Sequence, residues 1–149
     1  MSAKQYQFKR FTRRDYKEYK SWFQDPDLKK SLGGIDEEWL SFILKDEQGI
    51  EYAVFSNNTL IRVIGITLPN QNENYHVISN LAVHPDYRNR EIGSEVLGKL
   101  LFYLKPEENW VCFVSSDNQK AADFFIKNGW TKREIEQDGM TRFEFRNKK

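Results

Sequence analysis

The chain has 149 residues, 39% of them hydrophobic and 15% aromatic, which fits a single domain over residues 1–149 with a sizeable core. Its 23 basic and 22 acidic residues leave a net charge of +1, so no global field attracts nucleic acid or an anionic membrane. The first residues lack the apolar core of a signal peptide, and no run approaches the roughly 18 apolar residues of a membrane span, so we expect a cytoplasmic protein.

The first predicted elements are a strand and a helix. Tyr6 and Phe8 alternate with polar residues, as in a short strand with one buried face. Thr12-Arg13-Arg14-Asp15 approximates a capping box with Asp in place of the usual Glu, and the aromatic residues after it recur at helical spacing. Asp25-Pro26 ends the predicted helix, because a residue that precedes proline disfavours the helical conformation.

A loop, a second helix and a hairpin follow. We expect Asp27–Gly34 to be a flexible loop, and Asp36–Leu44 to be a helix because its apolar residues fall on one face. Two apolar and β-branched runs, Tyr52–Phe55 and Leu60–Leu68, are separated by Ser56-Asn57-Asn58-Thr59. This spacing predicts an antiparallel hairpin.

The middle of the chain has the layout of an anion site. The strand-like run Tyr75–Val83 leads into a basic turn containing Pro85, and an amphipathic helix begins near Ile92. Such a turn directs backbone N–H groups into one concavity, and the helix adds the positive end of its dipole. Arg88 and Arg90 supply full charges beside it. The layout predicts a bound phosphate or pyrophosphate at the end of a strand.

The last third of the chain predicts a strand, a helix and a hairpin. The lone cysteine, Cys112, excludes an internal disulfide and a cysteine-cluster metal site, and its apolar neighbours indicate a buried side chain. The elements are a central strand at Val111–Val114, a helix at Ala121–Lys127 closed by Asn128-Gly129, and strands near Lys132–Glu136 and Thr141–Phe145 joined by Asp138-Gly139.

These parts, in this order, resemble the GNAT superfamily of N-acetyltransferases. In that family the turn reads Gln/Arg-x-x-Gly-x-Gly/Ala, to which Arg88-Asn89-Arg90-Glu91-Ile92-Gly93 corresponds here. A second family pattern, Asn-x-x-Ala-x-x-x-Tyr followed by Gly-Phe, corresponds to Asn118–Trp130, NQKAADFFIKNGW. The resemblance is clear from about residue 63 to residue 145.

The resemblance implies an α/β (α+β) fold with a mixed, mostly antiparallel sheet of about seven strands, about four flanking helices, and a splay between the fourth and fifth strands. It implies acetyl-CoA as co-substrate and no metal. Unpaired backbone groups of the splayed strand would bind the pantetheine arm as another strand would, although an ordinary paired strand is the alternative. The implied cofactor contacts are Leu81, Ala82, Val83, Arg88, Asn89, Arg90, Glu91, Ile92, Gly93, Ser94, Asn118 and Phe125.

Two positions depart from the family pattern. Glu91 replaces the first Gly of the turn, so we expect an ordinary helical or turn backbone there. Its carboxylate should point to solvent, because a carboxylate about 4 Å from a phosphate costs roughly 4 kcal/mol at an effective dielectric constant of 20. Phe125 replaces a Tyr that often protonates the departing thiolate in this family. Tyr103 and Ser116 are alternative acids by sequence proximity alone.

The general base is also open. The family often has Glu at the position of Val77, and the candidates here are His76, which titrates near neutrality, and Glu73 in the preceding loop. The alternatives are an exposed edge histidine without a role, and proton removal through a water chain.

The function implied by the resemblance is an N-acetyltransferase that moves the acetyl group from acetyl-CoA to a primary amine of a small molecule, peptide or protein. The amine attacks directly, and a backbone N–H of Leu81 or Val83 stabilises the tetrahedral intermediate. The alternative is a CoA-binding sensor or interaction module that has lost its chemistry. Acidic residues in Asp25–Glu38 and at Asp138 suit a cationic amine, or are helix caps and solvated acids. We expect no nucleic-acid or membrane partner, and a monomer or homodimer.

Overall fold

The computed structural model describes residues 6–88, 90–104, 109–135 and 138–146. Within these residues the helices are α1 (Arg13–Ser21), α2 (Pro26–Leu32), α3 (Glu37–Lys45), α4 (Arg90–Leu104) and α5 (Gln119–Lys127). The strands are β1 (Tyr6–Arg10), β2 (Gly49–Ser56), β3 (Thr59–Thr67), β4 (Tyr75–Val83), β5 (Asn109–Ser115), β6 (Thr131–Ile135) and β7 (Met140–Phe145). Short 3-10 helices lie at Trp22–Gln24 and Pro85–Tyr87.

The strands form a mixed, mostly antiparallel sheet in the order β1-β2-β3-β4-β5-β7-β6. The predicted fold class is confirmed, with five α-helices among the described residues where about four were expected. The one parallel pairing among the ladders described joins Tyr75–Ile78 of β4 to Asn109–Cys112 of β5. Within the described residues this ladder ends there, although β4 continues to Val83 and β5 to Ser115. An early end of this kind is what a splay between the fourth and fifth strands requires.

The chain divides into two compact units that share β4. The first consists of the described residues up to Ile66 together with Asn80–Arg88, and the second of Thr67–Ser79 with the described residues from Arg90 onward. The single-domain assignment of residues 1–149 stays a prediction. Within the described part of the chain, no helix is long and apolar enough to cross a membrane.

The first unit is built on an aromatic core. Tyr19 of α1 is 1% exposed, and its ring meets those of Trp22 and Phe23 edge-on at centroid distances of 5.2 and 5.1 Å. Edge-on aromatic contacts of this kind add to the stabilisation that burial alone provides. The predicted start of α1 is confirmed, because the N–H of Thr12 donates to Asp15 Oδ2 at 2.9 Å.

The predicted loop Asp27–Gly34 is wrong, because most of it is helix α2. Asp25 Oδ2 accepts the N–H of Leu28 at 3.2 Å, and Pro26 takes the first helical position, where a missing N–H costs nothing. Leu28 is buried in the core. The Asp-Pro pair therefore ends one helical segment and begins the next.

The second unit is organised around α5. Asn118 Oδ1 accepts the N–H of Ala121 at 3.1 Å and so begins the helix. At the other end Gly129 has φ 90°, its N–H donates to Ile126 O at 3.1 Å, and the N–H of Trp130 donates to Phe125 O at 3.0 Å. This is a Schellman motif, and it confirms the predicted left-handed cap.

Candidate active site

The predicted anion turn is the beginning of helix α4. The helix starts at Arg90, so Glu91, Ile92 and Gly93 lie in its first turn and Ser94 follows. The first four N–H groups of an α-helix have no acceptor within the helix, and the dipole makes this end positive. The first turn therefore offers a set of backbone donors to an anion. Asn89 and the side chain of Arg90 lie outside the described residues.

Glu91 fits an anion site because its side chain is exposed. Its backbone is helical, as the sequence predicted for a residue that replaces the family's glycine. The exposure of this side chain is compatible with a phosphate at the first turn of α4.

The guanidinium of Arg88 is bound by carboxylates. Its Nη2 donates to Asp25 Oδ2, and its Nη1 lies 3.9 Å from Asp27 Oδ2. The hydrogen bond from Arg88 holds the pKa of Asp25 below its usual range. Asp25 therefore both caps α2 and neutralises Arg88, and any phosphate that binds Arg88 has to compete with it.

The end of β4 carries the three residues predicted to bind the pantetheine arm. Ala82 is buried in the core of the first unit, whereas Leu81 and Val83 are half-buried. Because side chains alternate along a strand, Leu81 and Val83 share the face opposite Ala82. The turn after the strand is fixed by His84, whose Nδ1 accepts the N–H of Asp86 at 3.0 Å. His84 therefore shapes the turn through its side chain.

His76 is buried, and the predicted alternative of an exposed edge histidine is wrong. In the β4–β5 ladder His76 lies opposite Trp110, and the two rings stack with centroids 4.5 Å apart and planes 21° apart. The side chains are 4% and 1% exposed. Alternation along the sequence shows that His76 and Val77 lie on opposite faces of β4. It does not show that Trp110 of β5 covers the face on which His76 lies.

Glu73, the other predicted base, is bound by a neighbour. The hydroxyl of Tyr75 donates to Glu73 Oε2, and this hydrogen bond raises the pKa of the tyrosine. The guanidinium of Arg142 lies 5.0 Å from the centroid of the Tyr75 ring, while its Nε donates to Glu144 Oε2 at 2.8 Å. Glu73 thus belongs to a polar cluster at the start of β4.

Ser116, one of the predicted acids, and two residues of the downstream motif, Asn118 and Phe125, form hydrogen bonds or core contacts within the fold. Ser116 Oγ donates to Gly139 O at 2.6 Å, so its proton is used in the last hairpin. The side chain of Tyr103 lies outside the described residues. Phe125 is 5% exposed, and its ring centroid lies 5.1 Å from that of Trp130 and 5.9 Å from that of Phe143. It is a core residue of the second unit, and Asn118 caps α5.

The acidic residues considered for a cationic amine are partly used as caps. Asp36 Oδ1 accepts the N–H of Trp39 at 2.9 Å, and Asp138 Oδ1 accepts that of Met140 at 3.1 Å. With Asp25 at α2, three of these acids begin a helix or close a turn. This supports the structural interpretation for those three residues.

Sequence reasoning missed a carboxylate on β2. Glu51 Oε2 accepts a hydrogen bond from Asn80 Nδ2 of β4 at 2.9 Å. The pKa of Glu51 is raised to about 7, because the rise caused by burial, with a smaller contribution from Asp46, outweighs the lowering by the Asn80 hydrogen bond. The pair is 29 residues apart and meets across β3, so no local spacing reveals it. The available signal was an acidic residue inside an apolar strand.

Comparison with known proteins gives one family and one fold. The family model described as "Acetyltransferase (GNAT) family" matches residues 7–130. No curated protein sequence matches the chain. Similar solved structures include an acetyltransferase from Thermus thermophilus, at 16% identity and TM-score 0.80, with 94% of this chain and 96% of that chain covered.

Two further structures are also similar. One is spermidine N-acetyltransferase from Vibrio cholerae in complex with CoA and spermine, at 11% identity and TM-score 0.80, with 96% of each chain covered. The other is the N-acetyltransferase PseH from Campylobacter jejuni, at 16% identity and TM-score 0.71, with 96% of this chain and 99% of that chain covered. At these identities the likeness concerns the fold alone.

Proposed function

Since the chain belongs to the GNAT family of acetyltransferases, we propose that it transfers the acetyl group of acetyl-CoA to a primary amine of a small molecule, peptide or protein. One observation supports this most: strand β4 leads through a short 3-10 turn directly into the N-terminus of α4. This places backbone donors where the family motif predicts the pyrophosphate. The cytoplasmic location, the monomer or homodimer, and the absence of nucleic-acid or membrane partners stay predictions.

In our proposal the cofactor binds through backbone groups. The first turn of α4, from Arg90 to Ser94, holds the pyrophosphate, and Gly93 lets the backbone approach it closely. The backbone of Leu81–Val83 binds the amides of the pantetheine arm. The early end of the β4–β5 ladder supports this, because a fully paired strand has no spare donors.

The proposed reaction is direct transfer. The neutral amine attacks the thioester carbonyl, and the N–H of Leu81 or Val83 donates to the oxyanion that forms. The C–S bond then breaks and CoA leaves. Phe125 has no proton to give and lies in the core, so in this proposal the thiolate takes its proton from the attacking nitrogen or from water.

The second candidate function is a CoA-binding module without chemistry. It is favoured by Phe125, which has no proton to give and packs between aromatic rings. This candidate shares the cofactor site with the first, so binding alone does not separate them.

Two measurements test the proposal. Ligand at a hundredfold its dissociation constant adds about 2.7 kcal/mol to the folded state, so acetyl-CoA and CoA should each raise Tm by roughly 5–10 °C. Adenosine should raise it far less. Gly93→Val should abolish the shift while leaving the unliganded Tm within a few degrees, since it blocks approach to the first turn of α4. An unchanged Tm of the wild-type protein with both ligands refutes the cofactor assignment.

Release of CoA thiol separates the two candidates. We suggest spermidine, free lysine and an alanyl peptide as acceptors, because a structural neighbour is a spermidine N-acetyltransferase. Thiol release that depends on one of these amines supports the enzyme. Cofactor binding with no thiol release supports the binding module.

A further inference from the structure

We propose that Glu51 accepts the proton of the attacking ammonium group and that Asn80 holds the Glu51 carboxylate for this role. The inference rests on the proposed acetyltransferase function and names a residue for a step that the sequence left open.

The position of Glu51 relative to β4 carries the inference. Its Oε2 is hydrogen-bonded to the side chain of Asn80, and the next residue, Leu81, is a proposed donor to the oxyanion. The carboxylate is therefore hydrogen-bonded to the side chain of the residue that directly precedes Leu81 in β4. Glu51, Asn80 and Leu81 all belong to the first unit, so their spacing is fixed within one compact body.

Glu51 also lacks the partner that a structural buried carboxylate usually has. Buried acids are normally paired with Arg or Lys, because an isolated charge in a nonpolar environment is costly. Among the described residues, Glu51 forms no ion pair, and its side-chain hydrogen-bond partner is the neutral Asn80. The side chain is only partly buried, so a proton can leave it. An unneutralised carboxylate of this kind suits proton transfer better than structural support.

The groups around Glu51 shift the pKa of its carboxyl group toward neutrality. Its pKa is raised to about 7 mainly by burial; the hydrogen bond from Asn80 lowers it and the charge of Asp46 raises it by a smaller amount. Tyr19 of α1 also faces it, and its own pKa is raised by burial and by the charge of Glu51. A base is most effective when its pKa lies near the working pH.

Asn80 contributes a second feature. Its Oδ1 is buried and has no hydrogen-bond partner among the described residues. A buried acceptor without a donor is costly, and an N–H group of the bound amine is a donor of the right kind. Asn80 would then hold the base with one atom and orient the amine with the other.

The alternative bases are less suited. His76 is buried and stacked on Trp110, and Glu73 is held by the hydroxyl of Tyr75. Either residue would have to leave an existing contact before it could reach an amine.

The proposed step balances as follows. The Glu51 carboxylate takes one proton from R–NH3+ and becomes a carboxylic acid, which leaves R–NH2. The nitrogen lone pair forms the C–N bond to the thioester carbon, the C–S bond breaks, and the sulfur leaves with the bonding electrons. The thiolate takes the proton that the new amide nitrogen loses, and Glu51 returns its own proton to solvent.

The experiment compares two nucleophiles. Spermidine is an ammonium ion at neutral pH and needs a base, whereas hydroxylamine is largely unprotonated at neutral and higher pH and does not need one there. Thiol release from acetyl-CoA is measured with each between about pH 5 and pH 9, for the wild-type protein, Glu51→Gln and Asp46→Asn. Glu47→Gln is the matched control, because Glu47 is exposed and stands four positions before Glu51.

We expect Glu51→Gln to lower kcat/KM for spermidine by about 10²-fold and to remove the rise in rate near pH 7, with the hydroxylamine rate unchanged. Asp46→Asn should move that rise to lower pH, because it removes a charge that raises the pKa of Glu51. Glu47→Gln should change neither. The Asp46→Asn shift remains a test even if Glu51→Gln does not fold.

Three results overturn the inference. One is a Glu51→Gln protein that keeps the wild-type pH profile, and another is an Asp46→Asn profile that does not move. The third is a wild-type protein that binds acetyl-CoA but releases no thiol with spermidine, free lysine or the alanyl peptide, which also removes the acetyltransferase function on which this inference rests. Failure of acetyl-CoA to bind is a different result, because it refutes the proposed function and this inference with it.

Discussion

Replacing Glu51 by Gln tests whether the pKa of Glu51 is raised, because a raised pKa makes the free energy of unfolding depend on pH. Glu51 titrates at 4.5 when unperturbed and at about 7 in the folded protein. Because the folded pKa is raised, the stability that the bound proton contributes is complete below pH 4.5 and is lost as the pH rises through about 7. This rise in pKa corresponds to about 3 kcal/mol, an upper value because the side chain is only partly buried.

Gln is neutral at every pH and resembles the protonated acid. At about pH 8 we therefore expect Glu51→Gln to be more stable than the wild-type protein by up to about 3 kcal/mol, or roughly 6–12 °C in Tm, with little difference near pH 4.5. Urea unfolding at about pH 8 and at about pH 4.5, followed by the fluorescence of the four tryptophans, measures the free energy of unfolding at each pH. Glu47→Gln should show no such pH dependence. A gain for Glu51→Gln that is the same at both pH values would refute the reasoning.

Two further predictions concern the cofactor site and the core. Asp25→Asn keeps a residue able to cap α2 but removes the carboxylate charge that Arg88 contacts most closely, so CoA should bind about two- to fivefold more tightly by calorimetry. Unchanged affinity would show that Arg88 does not reach the phosphates. Phe125→Tyr places a hydroxyl among buried rings, so it should cost about 1–3 kcal/mol and lower Tm by several degrees. An unchanged Tm with faster thiol release would instead show a hydroxyl facing the cofactor.

Local sequence patterns, such as apolar runs and helix-capping residues, predicted most of the fold. The apolar run Tyr75–Val83 has the bounds of β4, and Asn118 and Gly129 mark the ends of α5. Helix α2 escaped prediction because Asp25-Pro26 is both a stop and a start signal. The choice between them depends on the burial of Leu28 against distant residues, which periodicity does not contain.

The candidate site divides in the same way. The start of α4 was predictable because strand, turn and helix follow one another directly. The Glu51–Asn80 contact was not, because it joins β2 to β4 across an intervening strand. The burial of His76 likewise depends on Trp110, which comes from another strand. Pairings between distant strands determine which polar side chains meet, and one sequence does not reveal them.

The Schellman cap of α5 also affects how this protein ages chemically. Asn followed by Gly is the dipeptide most prone to deamidation, in which the glycine nitrogen attacks the asparagine side-chain carbonyl and expels ammonia. In Asn128-Gly129 that nitrogen donates to Ile126 O at 3.1 Å, and Asn128 Nδ2 donates to Phe124 O at 2.8 Å. Both reacting groups are held in hydrogen bonds until the last turn of α5 opens. The rate at which Asn128 becomes aspartate or isoaspartate during storage therefore measures how often this helix end unwinds.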